Sequence, residues 1–238
     1  MKVAILADVH GNSVALREVM KDIHSKGIKD VILLGDYFYK GPDPKGVLDL
    51  IEEIRPICCL KGNTEKNLEE FNPQTQPKSQ KEEVFHTLYQ FLQKEFDSDE
   101  MQRITEYSEK KSIRLEQLSV LCVHGSPRRI NEGVEKDSAI EDFERILKEV
   151  YEDIILVAHT HLPFLRYHNN KMILNPGAVG LCNRDGNWQA SYAVLTLQGM
   201  KAEAEFVRVK YPHEEIEELA KEKNFPYFEE YKKWIRSW

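Results

Sequence analysis

Seven side chains able to bind metal punctuate this 238-residue sequence: Asp8 and His10, Asp36, Asn63, His124, and His159 with His161. A mix of imidazole, carboxylate and amide with no thiolate favours Mn, Fe, Zn or Ni. Seven ligands exceed the four of a closed structural zinc site and suit two ions that share a bridging group. Asp36 is the natural bridge, because a carboxylate has two oxygens and a charge that offsets two adjacent dications. Residues two apart in extended backbone point to one side, so Asp8/His10 and His159/His161 can each reach one centre. Taken singly, each piece has a plainer reading. A D-x-H or H-x-H is usually incidental, Asp36 could cap a turn, Asn63 beside Gly62 could hold a left-handed turn, and His124 could be a hydrogen-bonded core histidine. The chemistry rests on the set.

What positions the set is a series of apolar runs. Asp8 and His10 follow Lys2–Ala7, Asp36 follows Asp30–Leu34, and Asn63 follows Pro56–Leu60. His124 follows Leu118–Val123, while His159 and His161 follow Asp153–Ala158. Helical spacing of Leu16, Val19, Met20 and Ile23, and of Val47, Leu48, Ile51 and Ile54, separates the first three runs. Strand, helix, strand, helix, strand predicts an α/β domain with parallel strands. In such sheets ligand sites lie beyond the carboxyl ends of the strands. Five loops would then deliver all seven side chains to one edge.

From about 66 to 111 the sequence is polar and carries Pro73 and Pro77 before a helix-like stretch with Val84, Leu88, Phe91 and Leu92. It reads as a mobile cap inserted beside the metal edge, not a second domain. Ala139–Tyr151 reads as a helix. Hairpins are predicted over Phe164–His168, Lys171–Leu174, Ala190–Leu197 and Ala202–Val209. A helical, aromatic tail follows at about 213–238, with Phe225, Tyr227, Phe228, Tyr231, Trp234 and Trp238, expected to pack on its own domain. The whole of 1–238 is thus one domain with an insertion and a tail.

A formal charge of −7 argues against general nucleic-acid binding. No apolar run is long enough to span a bilayer. The N-terminal run meets Asp8 at once, without a cleavage site, so it reads as a strand and not a signal peptide. Cys58, Cys59, Cys122 and Cys182 form no C-x-x-C pair and read as reduced thiols, which with the rest predicts a cytoplasmic protein without a membrane partner.

The order D-V-H (8–10), G-D (35–36), G-N-T-E (62–65), V-H-G-S-P (123–127) and H-T-H (159–161) resembles the calcineurin-like metallophosphoesterase superfamily, in particular its small bacterial and archaeal phosphodiesterase-type members. G-P-D-P (41–44), N-P-G-A-V-G (175–180), Arg184-Asp185-Gly186 and A-S-Y-A (190–193) are similar to secondary signatures of that subgroup. The resemblance implies an α/β fold of two packed mixed β-sheets flanked by helices, a calcineurin-like αββα sandwich, here with a helical cap insertion. It implies one ion on Asp8, His10, Asp36 and His161, and another on Asp36, Asn63, His124 and His159. Manganese is the first choice, with iron, zinc and nickel as alternatives. A hydroxide between the ions would attack phosphorus in line. Two positions depart from the pattern: Ala158 replaces a usual glycine, and Thr64 stands where most members carry the histidine that contacts phosphate and protonates the leaving group.

The catalytic candidates are therefore Asp36, Asn63 and Thr64, with Glu65 or His86 as places to look for a substitute acid. Arg128 and Arg184, with Arg129, are candidates for gripping substrate phosphate, whereas Lys40 reads as solvated. The expected activity is hydrolysis of phosphoesters, with phosphodiesters, including nucleotide-like ones, ahead of phosphomonoesters or phosphoproteins. A scaffold without catalysis, like the retromer subunit of similar fold, is the alternative from another class. Oligomeric state is left open.

Overall fold

Lys2–Leu6 forms the first strand, β1, buried from Val3 onward, as an interior strand must be. The computed structural model describes residues 1–237, so Trp238 of the aromatic tail lies outside the described residues. Helix α1 (Ser13–Ser25) begins where the Asn12 side chain accepts from Ala15 N, and it buries Leu16, Val19, Met20 and Ile23. Strand β2 (Asp30–Leu33) follows. Helix α2 (Pro44–Ile54) starts on Pro44, whose missing N–H costs nothing there, with the Asp43 side chain as cap. A short β3 (Cys58–Cys59) completes the parallel set β1, β2, β3.

The chain then runs through α3 (Asn63–Glu70), α4 (Gln80–Glu95) and α5 (Ser98–Thr105) before the hairpin β4 (Lys110–Leu115) and β5 (Leu118–Val123). Helix α6 (Ile140–Ile146) is shorter than the sequence suggested. The remaining elements are β6 (Ile154–Leu156), β7 (Phe164–His168), β8 (Lys171–Asn175), β9 (Ala190–Gln198), β10 (Lys201–Val209), α7 (His213–Glu222) and α8 (Phe228–Trp234).

Two five-stranded sheets result, in the orders β10-β9-β1-β2-β3 and β4-β5-β6-β8-β7. Each holds three parallel strands, extended by the antiparallel β9 and β10 on one side in the first sheet and bordered by antiparallel β4 and β7 on both sides in the second. Side-chain alternation builds three apolar layers. Val3 and Ile5 of β1 meet Val120, Cys122, Ile154 and Leu156 between the sheets. Ala4 and Leu6 face the helices on the first sheet's outer side. Leu121, Val123, Ile155 and Ile173 of the second sheet pack outward on Phe143 and Ile146. This is the expected α/β architecture of two packed mixed sheets between helices.

The segment at 66–111 differs from a lid standing off the domain. Leu88, Tyr89, Leu92, Phe96 and Ile104 are buried in the same apolar layer as Tyr37 and Phe38. Tyr89 stacks on Tyr39 at 4.4 Å between centroids. The aromatic tail is packed likewise, with Phe225, Tyr231 and Ile235 buried. Among the described residues, no helix is long and apolar enough to cross a membrane.

Candidate metal centre

The loops that leave β1, β2, β3, β5 and β6 meet at one edge, held in register by backbone hydrogen bonds. Asp8 N donates to Gly35 O and His10 N to Asp36 O, both at 3.0 Å, and Ala158 N donates to His124 O at 2.7 Å. Gly35, at φ +104°, presses against Gly62, where any side chain would collide with that backbone. The loops bearing Asp36 and Asn63 can approach only because this position is glycine.

The ligand candidates themselves sit in strained backbone. Asp8, His10, Asp36, His159 and His161 have φ of +56°, +48°, +57°, +68° and +52°. Left-handed backbone at a non-glycine residue costs on the order of 1 kcal/mol, and it persists where the surroundings over-determine it. The expected extended geometry of the D-x-H and H-x-H pairs is therefore replaced by tight left-handed turns.

This changes how the pairs are shared out. Asp8, His10 and His161 converge in one group, and Asp36, His124 and His159 in another, with the ligand atoms of each group within 4.8 Å of one another. His159 and His161 thus face different groups instead of one centre. Between the groups lies Asp36, with Oδ1 at 3.4 Å from His124 Nε2 and Oδ2 at 3.9 Å from His10 Nε2. Asn63 Oδ1 is 3.0 Å from His124 Nε2, on the second group's side.

Two of the four imidazoles are oriented from behind. His10 Nδ1 meets Tyr39 O and His124 Nδ1 meets Leu34 O, both at 2.9 Å, which turns each Nε2 inward. Glu65, fully buried, accepts from Asp36 N, Tyr37 N and Gly62 N, each at 2.8 Å, and so fixes the bend that carries Asp36. Thr64 donates to Asp36 Oδ1 twice, from its N–H at 2.9 Å and its hydroxyl at 2.8 Å. Asp36 therefore also caps the N-terminus of α3, where the helix dipole favours an anion.

Electrostatics follow from this packing. Burial, aided by His161, drives the His10 imidazole down to about 4, so it is neutral near pH 7. Burial opposes charge on His124 as well, but the Asp36 carboxylate outweighs it and lifts His124 to about 9. Burial pushes Asp36 upward, yet His124 and His10 hold it well below the usual carboxylate range. Glu65 is raised to about 7, by burial first and the Asp36 charge second.

The donor set fits divalent cations. Asp8 Oδ1 is buried 3.5 Å from His161 Nε2, and His10 Nε2 and His161 Nε2 face each other at 3.1 Å. A carboxylate oxygen and two imidazole nitrogens gathered this closely at a buried site are a donor set that a divalent cation would draw together.

The groups open into a cavity of about 900 Å³ lined by His10, Asp36, Asn63, Thr64, His159 and His161. Its outer walls come from Tyr39 and Lys40, Lys81 and Phe85 of α4, Leu181, and Trp234 of α8, of which the sequence places only the 66–111 segment beside the centre. Lys40, read as solvated, instead lines this cavity with its ammonium over the Trp234 ring at 5.6 Å. No sequence signal reaches Trp234, because only the fold brings it here.

The arginine candidates separate. Arg184 lines the cavity and pairs with Glu135. Arg128 does not: it pairs with Glu132 at 3.1 Å and faces a different cavity with Lys111 and Arg145. Its loop turns back through Ser126, whose hydroxyl accepts from Arg128 N and Arg129 N. Neither substitute acid is well placed. Glu65 is committed to three backbone N–H groups, and the His86 ring meets Pro73 O at 3.1 Å beside a smaller, separate pocket.

Known proteins share this fold. A solved metallophosphoesterase from Sphaerobacter thermophilus superposes with a TM-score of 0.78 at 23% identity, over 100% of this chain and 98% of that one. A hypothetical protein from Pyrococcus horikoshii OT3 gives 0.83 at 19% identity, over 99% and 98%. An uncharacterized protein of Methanocaldococcus jannaschii is 29% identical over 236 residues, covering 88% of this chain and 87% of its own. The profile of the calcineurin-like phosphoesterase superfamily domain matches residues 1–200. With that match spanning every loop of the centre, the chain belongs to the calcineurin-like phosphoesterase superfamily.

Proposed function

We propose that this protein hydrolyses phosphodiesters, nucleotide-like ones among them, at a centre that holds two divalent ions, manganese foremost. The observation that carries the reading is Asp36, which turns one carboxylate oxygen toward each histidine group, at 3.4 and 3.9 Å. Asp8, His10, Asp36 and His161 would hold one ion, and Asp36, Asn63, His124 and His159 the other. Ions bound there supply Lewis acidity, acidifying water for attack on phosphorus and offsetting the charge that builds in the transition state.

The chain's own residues do the rest. Tyr39 O and Leu34 O fix the ligating tautomers of His10 and His124. Thr64 and Glu65 hold Asp36 in place, and Arg184, at the cavity wall, would contact a substrate phosphate. Thr64 spends its hydroxyl on Asp36 and cannot deliver a proton near neutral pH. Among the described residues, Glu65 is committed to backbone N–H groups and His86 lies beside a separate pocket, which favours esters whose leaving oxygen is weakly basic, since general acid catalysis is worth roughly 10²–10⁴-fold.

The test is a rate series on manganese-loaded protein against leaving-group pKa, with nitrophenyl diesters at one end and alkyl phosphomonoesters at the other. A steep slope with diesters ahead supports the reading. A flat slope while chemistry limits the rate would mean that another acid serves. No metal-dependent turnover on any phosphoester would leave the scaffold alternative.

A further inference from the structure

We propose that the outer cavity is a subsite for a second phosphate of the substrate, gripped by Lys40 with help from Lys81, so that the preferred diester is one bearing a terminal phosphate. This rests on the phosphodiester reading above.

Lys40 is the unusual cation of this molecule. It is half-buried, and burial pushes its pKa down. Yet among the described residues no carboxylate forms an ion pair with its ammonium, and no acceptor bonds it. Asp36 acts on it only through space. Other lysines withdrawn from water are treated differently: Lys61 pairs with Glu69 at 3.0 Å, and Lys223 with Asp43 at 3.0 Å and Glu95 at 2.7 Å. A partly desolvated ammonium without an anion is costly, and a ligand anion would remove that cost.

Its placement supplies the direction. Lys40 stands at φ +74°, four residues beyond Asp36, and its ammonium rests over the Trp234 face at 5.6 Å. That ring attracts the cation without neutralising it, which leaves the charge available. Lys81 of α4 lines the same cavity and likewise has no ion-pair partner among the described residues. A single phosphoryl group fills little of about 900 Å³, and Phe85, Leu181 and Trp234 offer apolar surface beyond it. A second phosphate, carrying about −1.5 to −2 charges near pH 7, matches two unpaired lysines better than a monoanion does. Trp234 lies past residue 200, where the family match ends, so this wall belongs to the part of the chain outside the matched domain.

The experiment uses metal-loaded protein and a dinucleotide with and without a 5′-phosphate, plus bis(nitrophenyl) phosphate. Cleavage is followed as kcat/KM. Binding is followed with slowly hydrolysed phosphorothioate versions of the dinucleotide pair. The expected result is a preference of about tenfold or more for the phosphorylated dinucleotide in both readouts, as one or two charge-assisted contacts provide. Lys40→Met should collapse that ratio to near one, Lys40→Arg should keep most of it, and Lys81→Met should reduce it in part. A native ratio near one overturns the proposal. So does a Lys40→Met variant that loses all three substrates equally, because Lys40 would then serve the scissile phosphate or the ions. A 5′-carboxylate analogue bound as tightly as the phosphate overturns the choice of phosphate. If no diester is cleaved but the binding ratio is present and Lys40-dependent, the diesterase reading fails while the subsite stands.

Discussion

The Thr64 hydroxyl is a small group with a large lever, because it and the Thr64 N–H both donate to the one Asp36 oxygen that faces His124. Partners behind a ligand typically set 10–100-fold of metal affinity. Thr64→Val should therefore weaken metal binding by about tenfold with little loss of stability, measured by titration with a competing chelator. An unchanged affinity would mean that the backbone N–H suffices. Asp36→Asn is the sharper case: with one oxygen turned to each group, its loss should lower stoichiometry at both sites, whereas His161→Ala should disturb one. Elemental analysis of the two variants distinguishes them, and two retained ions in Asp36→Asn would refute the bridge. His124 adds a pH signature. Lifted to about 9 by Asp36, it carries a proton at pH 8 that a cation must displace, so binding should release protons there. Calorimetry in buffers of different ionisation enthalpy reads that release directly.

At the scale of elements, α4 is both a wall of the cavity and part of the core. Leu88, Tyr89 and Leu92 are buried, and the Tyr89 hydroxyl donates to Thr64 O at 2.9 Å, so the helix braces the start of α3. Excising residues 66–111 should therefore unfold the protein. Phe85→Ala, at the cavity surface, should raise KM for bulky diesters more than for small ones. Helix α7 carries a different consequence at its first residue. His213 is buried against Tyr211 at 4.0 Å between centroids, and burial, with Arg236 nearby, drives it from 6.5 to about 4. The unfolded chain binds this proton first, so the stability tied to neutral His213 is present above pH 6.5 and is lost as pH falls toward 4. The loss should be on the order of 1–3 kcal/mol. Thermal melts of His213→Phe should show a shallower decline over that window than the native protein, and identical declines would remove His213 as the cause.

For the whole molecule, the tail closes the first apolar layer. Phe225, Tyr231 and Ile235 are buried there, and Cys182 N donates to Trp234 O at 2.9 Å. Each large apolar side chain removed from the core costs roughly 1.5–3 kcal/mol, against a net stability of about 5–15 for a typical domain. Truncation before Phe225 should therefore lower Tm sharply, or prevent folding, without converting a dimer to a monomer. Light scattering beside the melt checks both halves, and a clean change of mass at constant Tm would make the tail an interface instead.

The strand ends and the side chains that stand on them follow from local hydrophobic patterning alone. Buried parallel strands read as continuous apolar runs, so Lys2–Leu6, Asp30–Leu33 and Leu118–Val123 were legible, and with them the seven side chains that follow such runs. Strand β4 was not legible, because an edge strand reading Lys-Lys-Ser-Ile-Arg-Leu carries little hydrophobic pattern. Spacing keeps Asp8 with His10 but misplaces His159 beside His161, because left-handed turns at both histidines undo the two-residue alternation; the split between the groups is the one the family resemblance implies. Tertiary structure also turned Arg128 away from the cavity and brought in Lys40, Phe85 and Trp234. These residues are far apart in the chain and carry no local signal, because a cavity wall is set by how helices and sheets pack and not by any single element's periodicity.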